Sequence, residues 1–468
     1  MPENTMNTKR KTGREWKAAA WALHHPILTT AATGLGIAAA TAPEMTGAAL
    51  VAGVAGTVTW ARVHPESYDR YAAPRVRDAR RRWLSWNYMG LGWRRNMREC
   101  GLSRSHPGNG DILIPRVLKV QVHSRHVETI FVKLLKGQTH KQWTDALDAL
   151  AVAFNAERVA IEKVKPQVVA LIVQRTEPFT CTIDLPPLPQ TESEVDLGSV
   201  FLGIDEYGAA WCESVLGNHF LVVGASRSGK NSITWAALWG LAPLIRSGVV
   251  RVWMCDPKQT ELAMGKGLAY RYGSGVAESA EVVKEFLEDQ QAMQKRLQEA
   301  GLRKFTPSVE TPLNILVADE IGAMLAYGSG AADDRTSIRT IRSGMDLIGS
   351  QGLATGHAMW GFVQEPTKDV VSCRELFTLR VCLRTTSAAH ADMALGDEMR
   401  RRGAIADEIP NIPETAGIGF KVAERTRTPI RVRAAYATDE DIRALVEYVT
   451  AGRDAESAPH LRLVPDAA

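Results

Sequence analysis

The stretch Phe220-Leu221-Val222-Val223-Gly224-Ala225-Ser226-Arg227-Ser228-Gly229-Lys230-Asn231-Ser232 decides how the chain folds. Its first four residues form an apolar run suited to a buried parallel strand. A G-x-x-x-x-G-K loop follows from Gly224 to Lys230, and a helical pattern runs from Ser232 to Leu241. Strand, glycine loop and helix in this order make a phosphate cradle. Glycines let the backbone wrap the phosphates, amide N–H groups and the helix N-terminus attract their charge, and Lys230 reaches the β and γ phosphates. Gly224, Ala225, Ser226, Arg227, Ser228, Gly229, Lys230, Asn231 and Ser232 are therefore the expected nucleotide-binding set, with ATP as cofactor.

One position departs from the pattern. The residue after the lysine is expected to be Ser or Thr, whose hydroxyl binds Mg²⁺, and here it is Asn231. Ser232 is no simple substitute, because one helical step turns it about 100° away. The Asn231 amide oxygen could reach the metal directly or through water. A second run, Asn314-Ile315-Leu316-Val317-Ala318-Asp319-Glu320, is an apolar strand ending in adjacent carboxylates. ATP hydrolysis needs this arrangement: Asp319 to hold Mg²⁺ with Asn231, and Glu320 to polarise the attacking water.

Further out, Val252–Leu262, Ala358–Gln364 and Leu379–Arg384 each read as an apolar strand with polar residues at its end. Strands alternating with helical stretches predict an α/β domain with a mainly parallel sheet and helices on both faces. Ligands on such sheets collect at the C-terminal strand ends, where these polar residues fall. Upstream, Ile112–Val122, Val127–Leu134, Trp143–Phe154, Arg158–Lys163 and Val168–Gln174 read as strand, strand, helix, strand, strand, a small α+β domain without a catalytic cluster.

Charge is uneven. Residues 1–125 carry 19 Lys/Arg against 8 Asp/Glu, and the remainder 37 against 44, within a net +4. The basic excess flanks two apolar runs, Ile27–Ala42 and Met45–Ala61, divided by Pro43-Glu44. Each is near the lower end of the roughly 17–25 residues that span a bilayer. Basic residues on both sides predict a hairpin with both ends cytoplasmic, at the inner membrane; a soluble Ala-rich hairpin is the other reading. Trp83–Trp93 fits either an interfacial segment or a helix packed on the next domain. The six cysteines form no CxxC pair, which argues against zinc and disulfides. The expected organisation is a basic N-terminus (1–25), transmembrane hairpin (26–62), Arg/Trp-rich segment (63–105), small α+β domain (106–176), linker (177–199), ATPase domain (200–450) and loop-like tail (451–468).

Taken together these residues resemble the FtsK/SpoIIIE family of RecA-like motors. Asp256-Pro257-Lys258 with Glu261-Leu262 resembles that family's Asp-Pro-Lys…Glu-Leu element, and Gln364 falls where the family carries a γ-phosphate-sensing glutamine. Gln364–Val371, Arg402-Gly403-Ala404 and Arg431–Ile442 are most like the actinobacterial plasmid-transfer branch. The resemblance implies a RecA-like P-loop motor domain that pumps double-stranded DNA, usually as a homo-hexamer, with separate plasmid-encoded recruitment factors as further partners. It also implies an arginine supplied in trans, for which Arg384 and then Arg380 are candidates. Arg335, Arg339 and Arg342 share one helical face that fits either DNA phosphates or solvent. Only 20 residues follow Tyr448, so no winged-helix reader is expected. A protein-secretion ATPase and a nucleotide-binding membrane scaffold are the two alternative functions. Tandem ATPase modules mark the first, and Asn231 alone favours the second.

Overall fold

The computed structural model describes residues 41–64, 67–68, 71–72, 75–76, 88, 90–106, 108, 110–303, 305–325, 332–422 and 428–451. The basic N-terminus, the apolar run up to residue 40, Trp83, Trp86 and the tail beyond Ala451 lie outside the described residues. The chain divides into two units, Met1–Arg80 and Arg81–Ala468.

In the first unit, helix α1 (Pro43–Val63) carries the second apolar run. Proline in its first turn has no N–H to leave unsatisfied, and Glu44 and Arg62 sit at the ends the helix dipole favours. No helix among the described residues is long and apolar enough to cross a membrane. At 21 residues α1 has the length. Its Ala, Gly and Thr residues, which partition weakly into lipid, leave it short of apolarity.

The second unit begins with α2 (Leu91–Glu99), whose Trp93 and Met97 are buried. The α+β domain follows: β1 (Arg116–Val122), β2 (Val127–Lys133), α3 (His140–Asp145), α4 (Leu147–Phe154), β3 (Arg158–Lys165) and β4 (Val168–Gln174). Its strands form an antiparallel sheet in the order β1-β2-β4-β3. Thr139 caps α3 with a reciprocal bond to Gln142, and Asn155 closes α4 in the left-handed region. Trp93 stacks on Phe154 with centroids 6.0 Å apart, and Tyr88 joins the same core. Of the two readings of the Trp83–Trp93 run, Tyr88 and Trp93 take the packed one.

The predicted linker lies along the ATPase domain. Phe179 is buried, and β5 (Ile183–Asp184) pairs with a later strand. The ATPase domain then contains β6 (Val200–Asp205), β7 (Ala210–Glu213), β8 (Phe220–Val223), α5 (Lys230–Gly240), α6 (Ala242–Ser247), β9 (Val250–Asp256), β10 (Ala269–Ser274), α7 (Gly275–Glu299), β11 (Leu313–Ala318), α8 (Ile321–Leu325), α9 (Ala332–Gln351), β12 (His357–Val363), β13 (Leu379–Leu383), α10 (Ala388–Leu395), β14 (Ile418–Val422), β15 (Pro429–Tyr436) and α11 (Asp439–Thr450). The sheet order is β10-β9-β11-β12-β8-β13-β14-β15-β6-β7, with β5 on β15. The first six strands run parallel, and the sheet turns antiparallel at β14. Period-two alternation explains the layers. Phe220 and Val222 face α5, α6 and α11, while Leu221 and Val223 face α7, α8, α9 and α10.

His219, just before β8, is fully buried, and its Nδ1 accepts the Met359 N–H at 2.9 Å. Burial holds its pKa down at about 4. The unfolded ring protonates near pH 6.5 and the folded one does not, so this group's contribution is present above that pH and lost as pH falls toward 4. Acidification from pH 7 to 5 should cost about 2 kcal/mol through this ring. The check is urea unfolding at both pH values, in which His219→Gln should show the smaller acid loss.

Candidate nucleotide site

The phosphate loop hangs between two strand ends. Gly224 N–H donates to the Val363 carbonyl (3.0 Å) and Ala225 N–H to the Arg384 carbonyl (2.8 Å), so β12 and β13 fix where the loop leaves β8. Gly229 has φ +86, and a Cβ there would lie 2.4 Å from the Gly417 nitrogen. Glycine is thus required twice over, by conformation and by space. Gly417 N–H in turn donates to the Ser228 carbonyl at 2.9 Å, and Ser228 is buried. Helix α5 starts at Lys230 with no side-chain cap, leaving its first-turn N–H groups for an anion. Lys230 Nζ donates to the Gly224 carbonyl at 2.8 Å, and burial pulls its pKa below the ordinary value against the attraction of Glu320 and Asp319.

Beside the loop, β11 delivers the carboxylates. Asp319 N–H bonds the Cys255 carbonyl of β9 at 3.0 Å, which fixes the strand end. Burial, then the negative charges of Glu261 and Asp256, push the Asp319 carboxyl up to about 7. Glu320 is only 5% exposed and sits at φ 44, an unusual place for a non-glycine residue. Its Oε1 accepts the Gln364 N–H at 3.3 Å, and its Oε2 lies 3.7 Å from Lys258 Nζ. Ser226 Oγ donates to Gln364 Oε1 at 3.3 Å. Lys230, Asp319, Glu320, Gln364 and the loop are therefore assembled at one edge of the sheet from β8, β11 and β12.

Arg384 lies at the end of β13, next to the loop. Its Nη2 donates to the Ser226 carbonyl of its own loop at 2.5 Å. Arg380, at the start of β13, pairs with Glu375 at 3.3 Å and lines a separate cavity of about 1140 Å³. On α9, Arg335 and Arg339 are exposed, and Arg342 donates to the Asp369 carbonyl.

Two features show their arrangement only in the fold. Asp256-Pro257-Lys258 with Glu261-Leu262 acts as one clamp. Asp256 accepts the Thr260 and Leu262 N–H groups, Lys258 reaches Glu320, and Glu261 accepts from Asn231. A cavity of about 450 Å³ opens beside the loop, lined by Arg227, Ser232, Asn411, Pro413, Arg433 and Tyr436. It has the size and the exposed Tyr436 ring to take a nucleoside.

A loop-bearing parallel sheet with these acidic and polar strand ends defines a RecA-like P-loop ATPase. In sequence the chain is similar to FtsK-type DNA translocases. No family model matches the chain. It is 22% identical over 346 residues to the DNA translocase FtsK of Halalkalibacterium halodurans, covering 67% of this chain and 40% of that protein. To the DNA translocase FtsK of Corynebacterium efficiens it is 23% identical over 284 residues, covering 55% and 28%. The chain thus spans less than half the length of these relatives. A solved structure of the pCW3 conjugation coupling protein TcpA, in monomer form with ATPγS, covers 76% of this chain and 98% of that one, at 15% identity and a TM-score of 0.49.

Proposed function

We propose that the chain is an ATP-driven motor that moves double-stranded DNA. The observation that carries this reading is the meeting of Lys230, Asp319, Glu320 and Gln364 at one sheet edge, in a chain similar to FtsK translocases. Lys230 exchanges loop carbonyls for phosphate oxygens, Glu320 takes a proton from the attacking water, and Gln364 links the γ-phosphate position to the Glu320 carboxylate. The donor set fits Mg²⁺, which takes oxygen ligands from one or two protein groups and the phosphates. Asp319 and Asn231 would hold it, and when bound it would neutralise phosphate charge.

The finer reading is conjugative transfer of a plasmid or integrated element by a homo-hexamer tethered at the inner membrane. Residues 26–62 would form the tether as a hairpin, supported by their basic flanks and by Glu44 being the single charge between Ile27 and Trp60. Reporter fusions that place Glu44 in the cytoplasm would rule the hairpin out. An arginine supplied to a neighbouring subunit would be Arg384, at the strand end that carries the site, with Arg380 the second candidate.

The deciding measurement is ATP hydrolysis by the purified full chain, with and without linear duplex DNA. Strong stimulation, lost in Lys230→Ala, is expected. Turnover indifferent to DNA would point instead to a protein substrate, and ATP binding without turnover to a scaffold.

A further inference from the structure

We infer that Glu261 is the positioning residue that lets Asn231 stand in for the missing loop hydroxyl, by holding its amide oxygen toward the metal. This rests on the nucleotide-site reading above and extends it to a residue outside the phosphate loop.

An asparagine amide presents a donor end and an acceptor end that differ little in shape. Only the oxygen can ligate Mg²⁺, a hard cation that takes oxygen ligands. An Asn after the loop lysine is therefore useful only if something fixes which end faces the phosphates. Asn231 Nδ2 donates to Glu261 Oε2. An ionised carboxylate has acceptor sites only, so the amide must turn its NH₂ toward Glu261. The oxygen is left at the other end of the planar amide, turned away from Glu261. A serine or threonine hydroxyl needs no such partner, since it rotates to suit.

Glu261 is itself held firmly. Asp256 is fully buried and accepts the Thr260 N–H at 3.4 Å, the Leu262 N–H at 3.1 Å and the Tyr272 hydroxyl at 3.1 Å. Leu262, 1% exposed, anchors the next residue in the core. Gln259 takes the left-handed conformation, φ 56, that lets the turn close. Glu261 therefore projects from a turn pinned on both sides, while Lys258 of the same turn engages Glu320. Among the described residues no group of three or more His, Cys, Asp or Glu is arranged to hold a metal. Orientation of the single amide oxygen consequently matters to how tightly the metal is held.

The experiment is Mn²⁺ binding to the full chain with a non-hydrolysable ATP analogue, read by electron paramagnetic resonance. Losing an outer partner of a metal ligand typically costs roughly 10–100-fold in metal affinity, and Glu261→Leu is expected to fall in that range. Glu261→Gln retains a carbonyl oxygen that accepts from Asn231 and should recover part of the loss. In an Asn231→Ser background, where a hydroxyl replaces the amide, Glu261→Leu should change Mn²⁺ binding little. Equal losses in both backgrounds would mean that Glu261 acts by charge or as a ligand, and would overturn the inference, as would no loss in either. Glu261 is exposed, so its replacement leaves the core intact, and matching thermal melts would verify this. Failure of the underlying reading looks different: Lys230→Ala would then leave binding of the metal-free analogue unchanged.

Discussion

Glu320→Gln is expected to lower ATP turnover by about 10²–10⁴-fold, the usual contribution of a positioned general base, while nucleotide binding stays nearly unchanged. The substitution keeps size and hydrogen bonding but removes the ability to accept a proton. Everything around Glu320 serves to aim it. The left-handed backbone at φ 44 turns its side chain at the strand end, the Gln364 N–H holds one oxygen at 3.3 Å, and Lys258 flanks the other at 3.7 Å. Asp319, one residue earlier, emerges as a direct extension of β11 and faces Lys230, Glu261 and Asp256 instead. Neighbouring carboxylates thus receive different surroundings, as two separate tasks would require. Single-turnover hydrolysis and binding of a fluorescent ATP analogue separate the two effects. Unchanged turnover would remove Glu320 from the base role. Loss of both together would mean that it positions nucleotide.

Glu206→Ala should destabilise the second unit by about 3–5 kcal/mol, because it leaves a buried charge unpaired. Arg158, on β3 of the α+β domain, is the charge in question. Its Nη1 lies 2.7 Å from Glu206 Oε2, and its Nε donates to the Gly403 carbonyl at 2.7 Å. The two side chains are 2% and 0% exposed. Glu206 Oε1 also accepts the Arg431 N–H at 3.0 Å, and the Arg158 and Arg431 guanidinium groups lie 5.1 and 5.4 Å from the Phe420 ring centre. The pair joins the α+β domain to the ATPase sheet, so its loss should also loosen that junction. Urea unfolding followed by circular dichroism measures the cost. Replacing both partners with apolar residues of similar volume, as in Arg158→Met with Glu206→Leu, should recover most of it, since neither charge is then stranded.

The two predictions draw on different kinds of information. Glu320 is visible in sequence because an apolar run ending in Asp319-Glu320 is a local pattern, and its place on the sheet follows from strand alternation. Glu206 is invisible in the same sense. It is one acidic residue at the end of a short strand, and its partner lies on another domain. Arg384 makes the same point from the other side. Its position at the end of β13 is legible, yet its partner, the Ser226 carbonyl, depends on β13 lying next to β8. The Trp83–Trp93 run gave two readings in sequence because its aromatics suit both lipid headgroups and a protein core. Burial of Tyr88 and Trp93 against Phe154 selects the core for those two residues.

Sequence by itself determined the phosphate loop, the acidic strand end and the α/β alternation. Each is written in contiguous residues, as fixed glycine spacing, as a four- to six-residue apolar run, or as a period of two against 3.6. Tertiary structure alone decided which strand ends become neighbours. It placed Gln364 on Glu320, Lys258 beside the same carboxylate, Glu261 on Asn231 and Arg158 on Glu206. Those contacts follow from a strand order unrelated to chain order and from side chains meeting across it, and no local periodicity encodes either.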